Sequence, residues 1–362
     1  MVELHHRNLR DVDWVLLLSP IALTALGCIG IHSTATGPEL KKQIIALVIG
    51  VVLALIIMLT DYRKIIMNIA PFLYAGVMLM LVAVLSPLGK TVNGNRAWLA
   101  LPGFSLQPSE FAKIATILML ARFLANARRE LRILDLAILM GIALPPIILI
   151  RLENDTGTML TFGAIIASFC FLGGMRKLLL AAAGVALVVG LFAVYPHLKE
   201  YQKQRIMAVL EPERVDPRGY AYQSIQSVVA VGSGGVMGKG IGNGTQGKLG
   251  FLPFAWTDFI GAVIAEEMGL IGVLLMMLLY MALIWRLIAV AQGSRDRPGA
   301  LMVMGLVCLI AFHILCNLGM VVGLMPIMGI PLPLMSSGGT SVISIFIGIG
   351  LALSVRLRRF VN

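Results

Sequence analysis

Uncharged apolar runs of membrane-crossing length recur along this chain. They predict spans at 14–32, 43–60, 65–86, 156–174, 178–196 and 268–285. Two weaker runs lie at 109–127, interrupted by Lys113, and at 133–151, which carries Pro145-Pro146. From Pro298 to Val355 no Asp, Glu, Lys or Arg occurs for 58 residues. One helix needs only about 20, so this stretch predicts two spans joined by the Gly/Pro-rich connector 317–341. The pattern therefore predicts an all-α polytopic membrane protein of ten transmembrane helices, with one large extracytoplasmic loop, 197–256, between helices 7 and 8. No internal repeat links the halves, and 1–362 reads as a single membrane domain containing that loop.

Composition agrees. Hydrophobic residues make up 59% and charged residues 13%, about half the charge of an ordinary soluble domain, which excludes a soluble enzyme and a disordered chain. The net charge of +11 matches the excess that membrane proteins carry on inner loops, and nothing in it calls for a nucleic-acid partner. The first set of loops, which includes the N-terminus, Arg63, Lys64, Arg122, Arg128, Arg129, Arg132 and the C-terminal arginines, holds sixteen Lys and Arg; the opposite short loops hold five. Both termini are thus predicted to be cytoplasmic, in a multi-pass membrane protein. The first apolar run is too long for a signal peptide and predicts an uncleaved anchor. Cys28, Cys170, Cys308 and Cys316 lie in apolar runs without a CxxC pair, as buried thiols rather than a disulfide or zinc framework.

With this orientation, every even-numbered span starts at the outer face. Glu110, Asp155 and Asp258 occupy the starts of the fourth, sixth and eighth. A carboxylate there can simply cap a helix, but three at one level point to an outward-facing polar site. Lys113 lies one turn from Glu110, so the two can pair, as a structural ion pair or as the floor of a cavity. From Asp258, helical spacing places Gly261, Ala262, Ala265 and Gly269 on one face, which allows close helix packing or a groove for a lipid chain or sugar. Along a continuous helix, Glu266 and Glu267 would lie about 12–14 Å deeper than Asp258.

The outer loop carries a glycine-rich stretch, 232–248, whose residues 242–248 match G-x-x-x-x-G-K. Leu249 stands where a nucleotide-binding loop needs Ser or Thr, and no strand precedes it, so a nucleotide site is rejected. What remains is a set of backbone N–H groups that can face an anion, or a flexible turn.

These segments resemble the SEDS family of bacterial peptidoglycan polymerases over nearly the whole chain. The motifs are NRAWLALPGFSLQPSEFAK (95–113), NDTGT (154–158), YQSIQSVVAVGSGGVMGKGIGNGTQ (222–246), TDFIGAVIAEEMGLIG (257–272) and NLGMVVGLMPIMGIPLPLMSSGGTS (317–341). GTQ followed by FLP, and GMVVGLMPIMGIPLP, look more like the family's elongation member than its division member. The resemblance implies ten membrane helices, polymerisation of lipid II (the undecaprenyl-pyrophosphate-linked disaccharide-peptide), a class B penicillin-binding protein as partner, and no organic cofactor. It places the family's essential aspartate on Asp258 and its Gln-Pro-Ser-Glu and Lys on Gln107 to Glu110 and Lys113. Phe254 and Trp256 stand where the family more often has Glu and His, and Ser337 replaces a usual Tyr.

Such a glycosyltransfer needs a base for the acceptor 4-hydroxyl and positive charge for the departing diphosphate. Asp258 is the candidate base. Lys113, Arg96, Arg205, Lys239, Lys248, helix N-termini or a divalent cation (magnesium or manganese) are candidates for the charge, with Glu110 and Asp155 as further substrate-binding residues. The competing readings are a lipid-linked sugar transporter (flippase), whose site would normally sit near the midplane between repeats, and a non-catalytic scaffold for the penicillin-binding protein.

Overall fold

The computed structural model describes residues 12–359 apart from 36, 93, 102–103, 128–130, 199, 212–214, 217–218 and 220. The N-terminal residues to Asp11, together with Arg128 and Arg129 of the inner-loop count, lie outside them.

The chain is mostly helical. Its helices are α1 (Trp14–Thr34), α2 (Gly37–Leu59), α3 (Tyr62–Lys64), which continues through a π turn (Ile65–Ile69) into α4 (Ala70–Leu85), α5 (Pro108–Ala125), α6 (Ile133–Leu152), α7 (Thr156–Leu172), α8 (Lys177–Val194), α9 (Glu200–Leu210), α10 (Tyr222–Ser233), α11 (Thr245–Lys248), α12 (Ile260–Gln292), α13 (Arg297–Val321) and α14 (Gly339–Leu357). Seven helices among the described residues, counting Tyr62–Leu85 as one, are long and apolar enough to cross a membrane, and α7 is a shorter apolar helix. The all-α expectation needs one correction. Strands β1 (Gly89–Val92), β2 (Asn95–Leu101) and β3 (Phe104–Leu106) form an antiparallel sheet, β1-β2-β3, in the connection before α5. The strand β2 segment, Asn95-Arg96 followed by five apolar residues, lacks the polar–apolar alternation that marks a half-buried strand.

α13 and α14 are the most enclosed of the long helices, and α2 packs along α14. The helix ends gather basic groups at one face. Arg286, from α12, pairs with Asp13, the N-cap of α1, and Arg356 lies 3.9 Å from the same carboxylate. Arg63 pairs with Asp296 at 2.5 Å, and Arg358 donates to the Leu59 and Ser354 oxygens. This is the basic end. The sheet, α10 and the glycine-rich loop lie at the opposite end.

α12 departs most from the sequence expectation. It breaks at Gly269, whose φ of 64° and ψ of −159° belong to a region essentially restricted to glycine. The pieces run in different directions. The Tyr280 hydroxyl donates to the Pro333 carbonyl at 2.5 Å, while the Ser336 hydroxyl donates to the Thr257 carbonyl at 2.6 Å. Residues 257 and 280 would be about 34 Å apart on a continuous helix, yet they meet atoms three residues apart. Ile264 likewise approaches Gly272 within contact distance. On α13, Asn317 donates to the Asp258 carbonyl, whereas Gly261 lies against Leu318 and Val321, nearer the end of that helix. On α1, Ile260 touches Gly30, whereas Glu267 faces Ser33.

Residues 260–268 therefore climb away from the basic end, and 270–292 return to it. The expectation of a continuous eighth helix with Asp258 at its outer end is overturned. Asp258 sits inward of Gly269, and Glu266 and Glu267 lie at the outer turn rather than deeper. Gly261, Ala262, Ala265 and Gly269 are all buried, so this face packs closely on its neighbours.

Candidate functional site

Asp258 lies in a short loop whose backbone is held from three sides. The Phe254 carbonyl accepts from the Thr257 and Asp258 N–H groups at 3.1 and 3.0 Å. Asn317 bridges the Asp258 and Ile330 carbonyls at 2.8 and 2.9 Å. The connector after α13 completes the clasp: Ser336 reaches the Thr257 carbonyl, and the Ser337 N–H donates to the Trp256 carbonyl at 2.9 Å. Gln43 of α2 steadies the connector through the Leu334 and Ser336 carbonyls and the Gly338 N–H.

Among the described residues, the non-glycine residues with positive φ are Asn154 (64°), Phe254 (58°) and Leu334 (68°). One precedes Asp155, one begins the turn into Asp258, and one lies in the clasping connector. Residues held in this region cost of order 1–3 kcal/mol each and concentrate at functional sites. Phe254, Trp256 and Ser337, where the chain leaves the family pattern, thus have backbone work in the turn and clasp.

Around Asp258 the structure gathers a polar cluster. Asp155 caps α7, accepting from the Thr158 N–H at 3.0 Å and hydroxyl at 2.8 Å, and from Gln107 Nε2 at 3.3 Å. Glu110 and Lys113 form an ion pair at 2.7 Å, 3% and 2% exposed at their side chains. Glu110 Oε2 has no hydrogen-bond partner among the described residues. His313 of α13 joins the Thr161 hydroxyl and the Pro331 carbonyl at 3.3 Å each. Gly157 packs so closely on Met328 that a Cβ would fall 2.3 Å from its carbonyl oxygen, which fixes the Asp155 turn against the same connector.

Electrostatics follows from burial. Withdrawal from water raises the Asp258 carboxyl to about 6, with Asp155 adding to the rise; the Arg205 charge and a Thr257 hydrogen bond oppose it. Burial also raises Asp155, against its Thr158 hydrogen bonds and the charge of Lys113. Glu153, fully buried with both carboxylate oxygens unpartnered among the described residues, is pushed up to about 8 by burial and by Asp155. Burial therefore favours its neutral form.

Of the cations singled out in the sequence, Arg205 and Lys113 act on this cluster. Arg205 also donates to the Ile327 carbonyl at 3.1 Å. Arg96 instead holds the Ser86 carbonyl, and exposed Lys248 holds the Gly242 carbonyl. Lys239 pairs with Glu266 at 2.7 Å. The glycine-rich loop does surround an anion, but an internal one. Glu266 Oε1 accepts from the Thr245 N–H and hydroxyl and from the Gln246 N–H, and Glu267 from the Gly242 and Gly244 N–H groups. Gln43, Asn317, Tyr280, Ser336, Gln107, Glu153 and His313 were not singled out for roles of their own. Lone polar residues in otherwise apolar helices, such as Gln43, His313 and Asn317, were the available signal.

Fold and site together define a multi-pass membrane protein with a clasped acidic loop set against a buried ion pair. The chain belongs to the family that unites FtsW, RodA and SpoVE, whose model, described as "Cell cycle protein", matches residues 15–359. It is 35% identical to the peptidoglycan glycosyltransferase MrdB of Escherichia coli K12, covering 96% of this chain and 94% of that one. It is 34% identical to a probable peptidoglycan glycosyltransferase FtsW of Trichlorobacter lovleyi, again over 96% and 94%. A solved chain from a study of how a peptidoglycan synthase complex coordinates polymerization and crosslinking superimposes with a TM-score of 0.82 at 35% identity, over 97% of this chain and 99% of that one.

Proposed function

We propose that this protein is a peptidoglycan glycosyltransferase that polymerises lipid II at the outer face of the cytoplasmic membrane, with Asp258 as general base. The observation that carries the reading is the clasped Asp258, a carboxylate raised to about 6 and hence close to the pH at which it must accept a proton. Asp258 takes the proton of the acceptor 4-hydroxyl as that oxygen bonds to the donor's anomeric carbon. The bond from that carbon to the diphosphate breaks, and the undecaprenyl diphosphate leaves with the electron pair. One base and no covalent intermediate give inversion. Arg205 is the side-chain cation that offsets charge on the diphosphate in this reading; Lys113, buried in its pair with Glu110, acts through Asp155, with Glu110 and Asp155 as further substrate-binding groups. A divalent ion is the alternative source of that positive charge, although among the described residues no three carboxylates, histidines or cysteines come together to hold one; a chelator with magnesium or manganese add-back separates the two arrangements.

Ten spans with both termini cytoplasmic fit the helix order and the basic end. A class B penicillin-binding protein as crosslinking partner, and a role in elongation, fit the family motifs; relatives named MrdB and FtsW match almost equally. The test is purified protein with lipid II, scored for glycan chains. Wild type should polymerise, and a folded Asp258→Asn protein should make almost none. Polymerisation by that variant within a factor of a few of wild type would remove Asp258 from the mechanism.

A further inference from the structure

At the basic end, well away from Asp258, a cavity of about 370 Å³ opens between the end of α5 and the start of α6. That volume falls within the range of small-molecule sites. Met119, Phe123 and Ile142 form its apolar wall, and Arg122, Asn126 and Asp135 its polar side. Arg122 makes no hydrogen bond or ion pair among the described residues. Asp135, on the same polar side, makes no ion pair with Arg122; its Oδ2 accepts the Arg132 N–H at 2.8 Å as the cap of α6. The charge around the mouth is positive. Arg297 holds the Ala127 carbonyl on the rim at 2.6 Å, and exposed Arg132 begins α6. Beside the mouth, Ile133 and Leu134 are 82% and 71% exposed, an apolar surface suited to acyl chains rather than water.

A guanidinium that makes no ion pair among the described residues, at the polar edge of an apolar cavity and next to a lipid-facing helix turn, is the arrangement that receives a phosphate on an acyl tail. We propose that this cavity binds an anionic phospholipid of the inner leaflet, its headgroup phosphate on Arg122 and Asn126 and a chain along Met119, Phe123 and Ile142. The leaflet rests on the orientation proposed above; the binding itself does not.

The test uses the purified full chain, delipidated in neutral detergent, titrated with phosphatidylglycerol or phosphatidylcholine and followed by thermal unfolding and native mass spectrometry. Phosphatidylglycerol should bind and raise the unfolding temperature, and phosphatidylcholine should do so weakly. Arg122→Gln should weaken phosphatidylglycerol binding about fivefold or more, Arg122→Lys should retain most of it, and Ile142→Trp should block it from the apolar side. Equal binding of both lipids, or wild-type phosphatidylglycerol affinity in Arg122→Gln, would overturn the proposal. So would equal stabilisation by inorganic phosphate alone, which would make the site one for a soluble anion. These readouts are independent of lipid II turnover, so a failure here is distinct from a failure of the proposed activity.

Discussion

If Asp258 accepts the proton, the rate must follow its ionised fraction. With a carboxyl raised to about 6, that fraction is about nine-tenths at pH 7 and about one-tenth at pH 5, so base-limited turnover should fall about tenfold across the interval. An unperturbed aspartate, titrating near 4, would leave the same interval almost flat. Arg205 supplies an internal check. Its charge lowers the Asp258 pKa, so Arg205→Gln should move the inflection to higher pH, slow the enzyme at pH 7 and allow recovery by pH 8–9. If Arg205 serves only the leaving diphosphate, no recovery should follow. The assay is initial-rate polymerisation of lipid II by purified protein in buffers of constant ionic strength, with unfolding temperature recorded at each pH. A wild-type profile that stays flat from pH 7 to pH 5, in protein that remains folded, would refute the base assignment.

Three further outcomes follow from the same structure. Glu110→Gln leaves Lys113 without a buried counterion, a change that typically costs about 3–5 kcal/mol; turnover should drop further than the amount of protein recovered from membranes, and wild-type polymerisation would make the pair structural only. Glu266→Gln removes the charge from an oxygen that accepts from Lys239, Thr245 and Gln246; trypsin should then cut after Lys239 or Lys248 several times faster than in wild type, and an unchanged cleavage rate would show that the loop is held by other contacts. Gly269→Ala places a Cβ about 2.4 Å from the Gly238 nitrogen in a conformation alanine avoids; the unfolding temperature should fall, by an amount matching at least the 1–3 kcal/mol of such backbone strain, and an unaltered transition would contradict the break at that residue.

Much of the architecture was legible because the bilayer imposes one rule on every span: a helix of about 20 apolar residues with its backbone satisfied internally. The run at 14–32 became Trp14–Thr34 and the run at 133–151 became Ile133–Leu152. Asp155 was legible as a cap, and Lys113 as the partner of Glu110, because both contacts are local, three residues apart. What stayed hidden was long-range. Arg96, Lys239 and Lys248 look equally suited to a diphosphate in the sequence, and only the fold shows each held by a carbonyl or carboxylate elsewhere. The clasp of Asn317, Ser336 and Ser337 on 256–258 spans some 60–80 residues of chain and has no local signature.

The break at Gly269 shows why hydropathy misjudged depth. From Ile260 to Gln292 the composition suits a single helix with two acids near its start, and helical rise then carries Glu266 and Glu267 into the bilayer. Two buried carboxylates at that depth would be costly without partners. The chain meets this constraint through geometry: the helix turns back at Gly269, and the glycine-rich loop supplies Lys239 and backbone N–H groups to the acids at the turn. The Leu270 and Ile271 N–H groups donate to the Gly235 and Val236 carbonyls, and the Lys239 and Gly240 N–H groups to the Glu266 and Glu267 carbonyls. The loop therefore satisfies both the backbone opened by the break and the charges it carries outward. The same reversal returns residues 257–259 inward, to where Asn317 and Ser336 hold them.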